Sequence, residues 1–300
     1  MEAVRQVVRL AAAVVAAGLL AGCASVQRMP GRMLAGSLSG LGASLQAQPD
    51  PELVRQGAPT FMLLLDGLLV DDPENPRLLL VATQSYVFYA QAFASAEAAP
   101  ERAVRLWGRA HDYGQRLLSL HPVYRRARAA SPEAFEAAVN AFGRPAVPEL
   151  FTAGVAWAGW IAANPNSMRT VSELPQALTL LRRVLELDDT YQGGATHLLF
   201  GIYYAVQAPG AGQDLGKSRH EFERATALAG PGALAPRVAM AEYYARAAQD
   251  RKLFVALLTE VTGADPAVRP DVRLSNALAV EQARRLLERQ DEFFDTDAAP

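Results

Sequence analysis

Between Leu150 and Val261 the chain repeats one two-part pattern three times. The first part reads Leu150, Ala153, Gly154, Trp157, then His197, Phe200, Gly201, Tyr204, then Arg237, Met240, Ala241, Tyr244. The second part reads Ala177, Leu181, Val184, then Ser218, Phe222, Ala225, then Phe254, Leu258, Val261. Spacings of three, four and seven place each set on one face of an α-helix. The glycine or alanine in the first set lets a second helix come close, and the large residue of the second set fills the space between them. A turn follows each second helix, at Asp189, Gly230 and Pro266.

Paired antiparallel helices of this kind are the unit of a tetratricopeptide stack. The second-helix sets begin at 177, 218 and 254, so successive units are 41 and 36 residues apart. The standard unit is ~34 residues, and the excess falls in loops such as 164–174 and 208–215. A weaker copy lies earlier, at Leu79, Ala82, Thr83, Tyr86 and then Ala103, Trp107, Ala110. Residues 51–70 and 271–290 have the character of flanking helices that close the ends of such a stack. Breakers recur at Asp72-Pro73, Ala99-Pro100, His121-Pro122, Ser131-Pro132, Gly143 to Pro148, Asn164-Pro165, Gly193-Gly194, Pro209-Gly210, Gly230-Pro231 and Asp265-Pro266. No stretch between them sustains the period-2 alternation of a strand. The expected fold is all-α: a tetratricopeptide-like helical hairpin stack of about four cryptic repeats with flanking helices. A generic helical bundle is the alternative.

The first residues carry a different signal. Arg5 and Arg9 precede an apolar run from Leu10 to Gly22, and the run ends Leu20-Ala21-Gly22-Cys23. Thirteen residues suit the apolar core of a signal peptide and fall short of the ~20 needed to span a bilayer. Small residues before a cysteine resemble a bacterial lipoprotein signal, so Cys23 is the expected lipidation site. Cys23 is also the single cysteine in 300 residues, which excludes an intrachain disulfide. With Ala24 rather than Asp after Cys23, the resemblance to Gram-negative lipoproteins favours the inner leaflet of the outer membrane, with the body in the periplasm. The expected organisation is a signal peptide at 1–22, a lipidated N-terminus and tether at 23–50, a helical domain at 51–294 and an acidic tail at 295–300.

Composition and motifs narrow the chemistry. A formal net charge of −2 gives no electrostatic reason to expect nucleic acid. Only Lys217 and Lys252 among the 29 basic residues are lysine, and Arg125, Arg126 and Arg128 read as a solvated loop or helix end. The stretch "AGQDLGKS", Ala211 to Ser218, fits the relaxed phosphate-loop pattern. A true phosphate loop joins a buried strand to a helix. Here the preceding residues carry helical spacing, Ser218 belongs to a packing triplet, and no nucleotide is expected as a partner. His111, His121, His197 and His220 form no metal-binding spacing, and Gly36 to Gly40 is not a nucleophile elbow. No catalytic residue, cofactor site or metal site is expected, and the chain does not read as an enzyme.

The aromatics of the first helices are the candidate ligand cleft or partner surface: Trp157, Trp160, Tyr203, Tyr204, Tyr243 and Tyr244. In a tetratricopeptide stack those helices line the concave side. Trp157, Tyr204 and Tyr244 hold equivalent packing positions, whereas Trp160, Tyr203 and Tyr243 lie on neighbouring faces, placed to reach a groove. Large amphipathic rings suit an apolar ligand or a partner surface. Burial of all six in the core is the alternative.

Longer stretches resemble a known family. "PELVRQGAPTFMLLLDGLL", "RLLLVATQSYVFYAQAFA", "AEYYARAAQDRKLFVALLTEV" and "LSNALAVEQARRLLERQDEFF" are similar to the T component associated with TRAP transporters, the TatT family. The resemblance covers Pro51 to Phe294, with its most specific element at Asp250 to Val261 followed by Leu274 to Ala279. Gly212-Gln213-Asp214 departs from the Gly-Gly-Asp usual in that family before the second helix that carries Ser218, Phe222 and Ala225. The resemblance implies a periplasmic, lipid-anchored tetratricopeptide fold with an apolar pore or cleft. It also implies partnership with the periplasmic solute-binding protein of a TRAP transporter, and no catalytic residues transfer. The expected role is a ligand-binding or adaptor lipoprotein beside an ion-driven importer, with homo-oligomerisation left open. A tetratricopeptide scaffold for cell-envelope assembly without a small ligand is the alternative.

Overall fold

The computed structural model describes residues 44–94, 100–210 and 212–294. Cys23, the segment 1–43 and the acidic tail 295–300 lie outside the described residues. The described chain is built from helices: α1 (Pro51–Asp71), α2 (Pro76–Tyr89), α3 (Pro100–Ser119), α4 (Pro122–Ala127), α5 (Pro132–Asn140), α6 (Val147–Ala163), α7 (Met168–Val171), α8 (Leu174–Leu187), α9 (Tyr191–Val206), α10 (Leu215–Ala229), α11 (Ala235–Ala239), α12 (Arg251–Gly263) and α13 (Arg273–Glu288). Two of them widen into π-helical turns, α2 through Ala90–Ala94 and α11 through Met240–Ala245. Among the described residues there is no strand.

Local chemistry sets the helix starts. A proline opens α1, α2, α4 and α5, where its fixed φ suits the first turn and its missing N–H has no intrahelical partner to lose. Side-chain caps supply the remaining order. Asp50 accepts from the Glu52 and Leu53 amides, Asn75 from Arg77 and Leu78, Asp214 from Lys217, and Asp250 from Leu253. The expected breakers fall at these boundaries, except that Pro148 sits inside the first turn of α6; Gly193-Gly194, together with Gln192, kinks the start of α9 with non-helical, positive φ.

Neighbouring helices pair as the repeated spacing requires. In α6 and α8, a Cβ on Gly154 would stand 2.8 Å from Leu181 Cδ2, while Ala177 and Val184 are fully buried beside it. In α9 and α10, a Cβ on Gly201 would meet the Phe222 ring at 3.0 Å, and the Ser218 hydroxyl donates to the Gly201 carbonyl at 2.8 Å. In the third pair Ala241 faces Phe254, Leu258 and Val261, all with no exposed surface. The earliest pair, α2 with α3, buries Leu79, Ala82, Thr83 and Tyr86 against Trp107 and Ala110. The molecule is therefore a stack of helical hairpins with one core around α3, α6 and α8 and a second around α11, α12 and α13.

The ends of the stack are fastened by polar contacts. Asp66 of α1 accepts from both Tyr86 Oη at 2.8 Å and Tyr113 Oη at 2.7 Å, which ties α1 to α2 and α3. Elsewhere on α1, Leu63 is 69% and Val70 79% exposed. At the other end, buried Asn276 of α13 accepts from the Leu234 amide at 3.0 Å and donates to the Gly232 carbonyl at 2.8 Å. It thereby locks the loop before α11 onto α13.

Candidate functional site

Two departures from regular backbone meet at one place. The π turn Met240–Ala245 carries an extra residue in the helical coil, so Glu242 and Tyr243 project from positions that a regular α-helix would not give them. Four residues later Gln249 holds φ at +53°, a left-handed conformation that costs a non-glycine residue energy, and the Asp250 amide reaches back to the Ala245 carbonyl at 2.8 Å. The Gln249 side chain donates to the carbonyls of Arg246 at 3.0 Å and Phe293 at 3.4 Å, which holds the C-terminal turn against this bend.

These segments and the end of α9 border a shallow, open cleft of about 410 Å³. Ala205, Val206, Ala247 and Phe293 give it an apolar wall, and Glu242, Tyr243, Arg246 and Gln249 supply polar groups. The volume lies within the range of small-molecule sites. Burial pushes Glu242 above the usual carboxylate range against the pull of nearby Arg246, and its carboxylate accepts from Gln282 Nε2 at 2.6 Å. Burial also pushes the Tyr243 phenol up to about 12, with the charge of Glu242 acting in the same direction. Arg246 lays its guanidinium over the Phe293 ring at 3.9 Å.

The six aromatics singled out from sequence are distributed over three places. Trp157 is 4% exposed and donates from Nε1 to Glu173 at 2.9 Å. Trp160 stacks on His111 with centroids 4.5 Å apart and planes 3° from parallel. Tyr203 and Tyr204 contact each other edge-on at 5.3 Å, both packed against the first core, and Lys217 Nζ lies 5.6 Å from the Tyr204 ring. Tyr244 is half-buried and adjoins Arg219 of α10. Tyr243 lines the cleft together with Ala205 and Val206, the two residues that follow Tyr204 in α9. The cleft's polar members Glu242, Arg246 and Gln249 were not singled out from sequence. The residues themselves are ordinary on a helix, and the π turn that gathers them has no sequence signature.

The phosphate-loop-like stretch is built as a cap and a packing face. Helix α9 precedes it, Asp214 caps α10, Lys217 pairs with Asp214 at 3.1 Å, and the Ser218 hydroxyl is committed to Gly201. His197 bridges the same two helices through Nδ1 and Glu221 at 2.6 Å. Among the described residues no three His, Cys, Asp or Glu side chains are grouped to hold a metal.

The described residues thus form a stack of helical hairpins of the tetratricopeptide type, with a partly charged cleft bordered by Tyr243 and Phe293 near its C-terminal end. The model of the family "TRAP transporter T-component" matches residues 47–294, and the chain belongs to that family. It is also similar to a protein of Treponema pallidum (strain Nichols) described as uncharacterized, with 24% identity over 264 residues, covering 82% of this chain and 81% of that protein. Membership associates the chain with a TRAP transporter and with the cell envelope, in a family of transporter accessory components rather than of known enzymes.

Proposed function

We propose that this protein is a periplasmic lipoprotein that acts as the ligand-binding and adaptor component of a TRAP-type importer and docks the transporter's periplasmic solute-binding protein. The observation that carries this reading is the family match, which spans nearly the whole helical stack. The basic start, apolar run and Leu-Ala-Gly-Cys ending support cleavage after residue 22 and lipidation at Cys23, with the stack held at the inner leaflet of the outer membrane. In that arrangement 23–50 is the tether and 51–294 the working domain. In the ligand-holding form of the adaptor the open cleft bordered by Tyr243 and Phe293 would be the site, and a scaffold without a small ligand is the alternative.

The test is affinity isolation of the full chain from detergent-solubilised envelopes, with radiolabelled palmitate to follow the anchor. The expected result is label that disappears in Cys23→Ala and co-isolation of a TRAP solute-binding protein. Recovery of envelope-assembly proteins with no solute-binding protein would select the scaffold reading instead.

A further inference from the structure

Helix α1 is apolar on both sides, and the fold uses only one of them. Val54, Met62, Leu65 and Leu69 are buried against the stack. Leu53, Leu63, Leu64 and Val70 are each more than half exposed. At about 100° per residue these four fall within ~120° of the helix circumference, opposite the buried four. Between Gly57 and Val70 the sequence holds one ionisable residue, Asp66, and its carboxylate is committed to the Tyr86 and Tyr113 hydroxyls. Glu52 and Arg55, at the start of the helix, pair with each other. The outward strip from Leu53 to Val70 is therefore ~25 Å of apolar surface with no charge of its own past the first turn. By length and composition α1 could cross a membrane. The Asp66 contacts hold it along α2 and α3, so it can lie against a bilayer but not pass through one.

We propose that the outward side of α1 rests on the phospholipid surface to which the chain is anchored, as a second and non-covalent membrane contact. The inference rests on the lipid-anchor part of the proposed function and adds to it an orientation of the stack. Two observations select lipid as the occupant. Residues 24–50, all that lies between Cys23 and α1, reach at most ~100 Å when fully extended. A bilayer is thus always close to α1, and tethering turns a weak interfacial affinity into high occupancy. The second observation is side-chain chemistry. The outward positions from Gly57 to Val70 carry only Gly, Thr, Leu and Val, with none of the Trp, Tyr or Arg that anchor protein partners. A lipid surface needs apolar area alone, with no pocket and no paired charge. No basic cluster flanks the strip, and Asp71, Asp72 and Glu74 follow it. Apolar insertion, rather than attraction to anionic headgroups, drives the contact.

The test uses the purified mature chain carrying Cys23→Ser, which has no lipid of its own, sedimented with vesicles of phosphatidylcholine and phosphatidylethanolamine in equal parts. Cosedimentation is expected. It should change by less than about twofold when salt rises from ~0.05 to ~0.5 M, or when phosphatidylglycerol replaces a third of the lipid. Leu63→Gln combined with Leu64→Gln is expected to weaken binding by at least about fivefold. The melting temperature should not fall, because both side chains are already in water. Cys23 is the single native cysteine, so an environment-sensitive fluorophore on Thr60→Cys, an exposed position of α1, reports one place. Its emission is expected to shift to the blue with vesicles, and the same fluorophore on Lys217→Cys in α10 is not. No vesicle binding, full binding by the double variant, or an equal shift at both labels would overturn the proposal. A double variant that loses self-association or a co-isolated protein while still binding vesicles would overturn it too, since a second copy or a protein partner then covers α1. Palmitate label at Cys23 without vesicle binding by the unlipidated chain removes this surface and leaves the lipoprotein reading. Vesicle binding by a chain that takes no label leaves the surface and removes the anchor.

Discussion

At the scale of the residue, the spacing pattern identified packing positions better than it identified the reason each residue is needed. Ser218, Phe222 and Ala225 were legible because a helix repeats every 3.6 residues, and all three are buried. Gly193-Gly194 read as a breaker, and the backbone does leave helical geometry there, with Gln192, Gly193 and Gly194 all at positive φ. Gly194 holds φ at +78°, and a Cβ there would stand 2.8 Å from Leu228 Cδ1 and 2.9 Å from Leu228 Cβ. Gly194→Ala is expected to cost about 1–3 kcal/mol in urea unfolding, from left-handed strain and crowding together. Gly57→Ala in α1, where a Cβ meets nothing within 4 Å, is expected to stabilise by about 0.5–1 kcal/mol. His111 carries a second residue-scale prediction. Burial, aided by the charge of Arg128, lowers its pKa from 6.5 to about 4. A depressed histidine contributes stability above its unfolded pKa, and that contribution disappears as pH falls toward the folded value. The stability curve should therefore decline from about pH 6.5 to about pH 4. His111→Phe, which retains a ring for Trp160 to stack on, should flatten this acid limb in chemical denaturation at stepped pH.

At the scale of the element, helix existence and most boundaries followed from proline, glycine and capping residues. Helix orientation followed where the helix is amphipathic. It did not follow for α1, whose apolar residues surround the axis: Leu65 and Leu69 are buried while Leu63 and Leu64 are exposed, so periodicity chose no single face. What fixes α1 is Asp66 between Tyr86 and Tyr113, a contact across 20 and 47 residues that no local pattern reveals. The π turn at Met240–Ala245 was hidden for the same reason, since its sequence fits an ordinary helix. Helix α10 offers a clean separation of two adjacent roles. Lys217 is 64% exposed at its side chain, so Lys217→Ala is expected to change stability by less than about 0.5 kcal/mol, and ATP should not raise the melting temperature. Asp214→Ala removes the helix cap and is expected to cost about 1 kcal/mol. An ATP-dependent shift that Lys217→Ala abolishes would reopen nucleotide binding at this stretch.

At the scale of the whole molecule, the repeated two-part pattern and the resemblance of four long stretches led to the architecture and family that the structure and the family match show. The most specific of those stretches contains Asn276, a buried side chain whose hydrogen bonds to Leu234 and Gly232 close the loop before α11 onto α13. Its place in the pattern thus has a structural cause. The cleft was legible only in part. Tyr243 stood out as an aromatic on a first helix, whereas its partners come from α9, from the turn after the π segment and from the C-terminal turn, brought together only by folding. The central claim is that the stack serves a TRAP importer by docking its solute-binding protein. Sedimentation velocity of the purified mature chain mixed with its host's own TRAP solute-binding protein tests this most directly. The expected result is a concentration-dependent faster species containing both chains, with an apparent Kd in about the micromolar range or tighter. Two species that sediment independently across that range, with each protein shown to be folded, would contradict it.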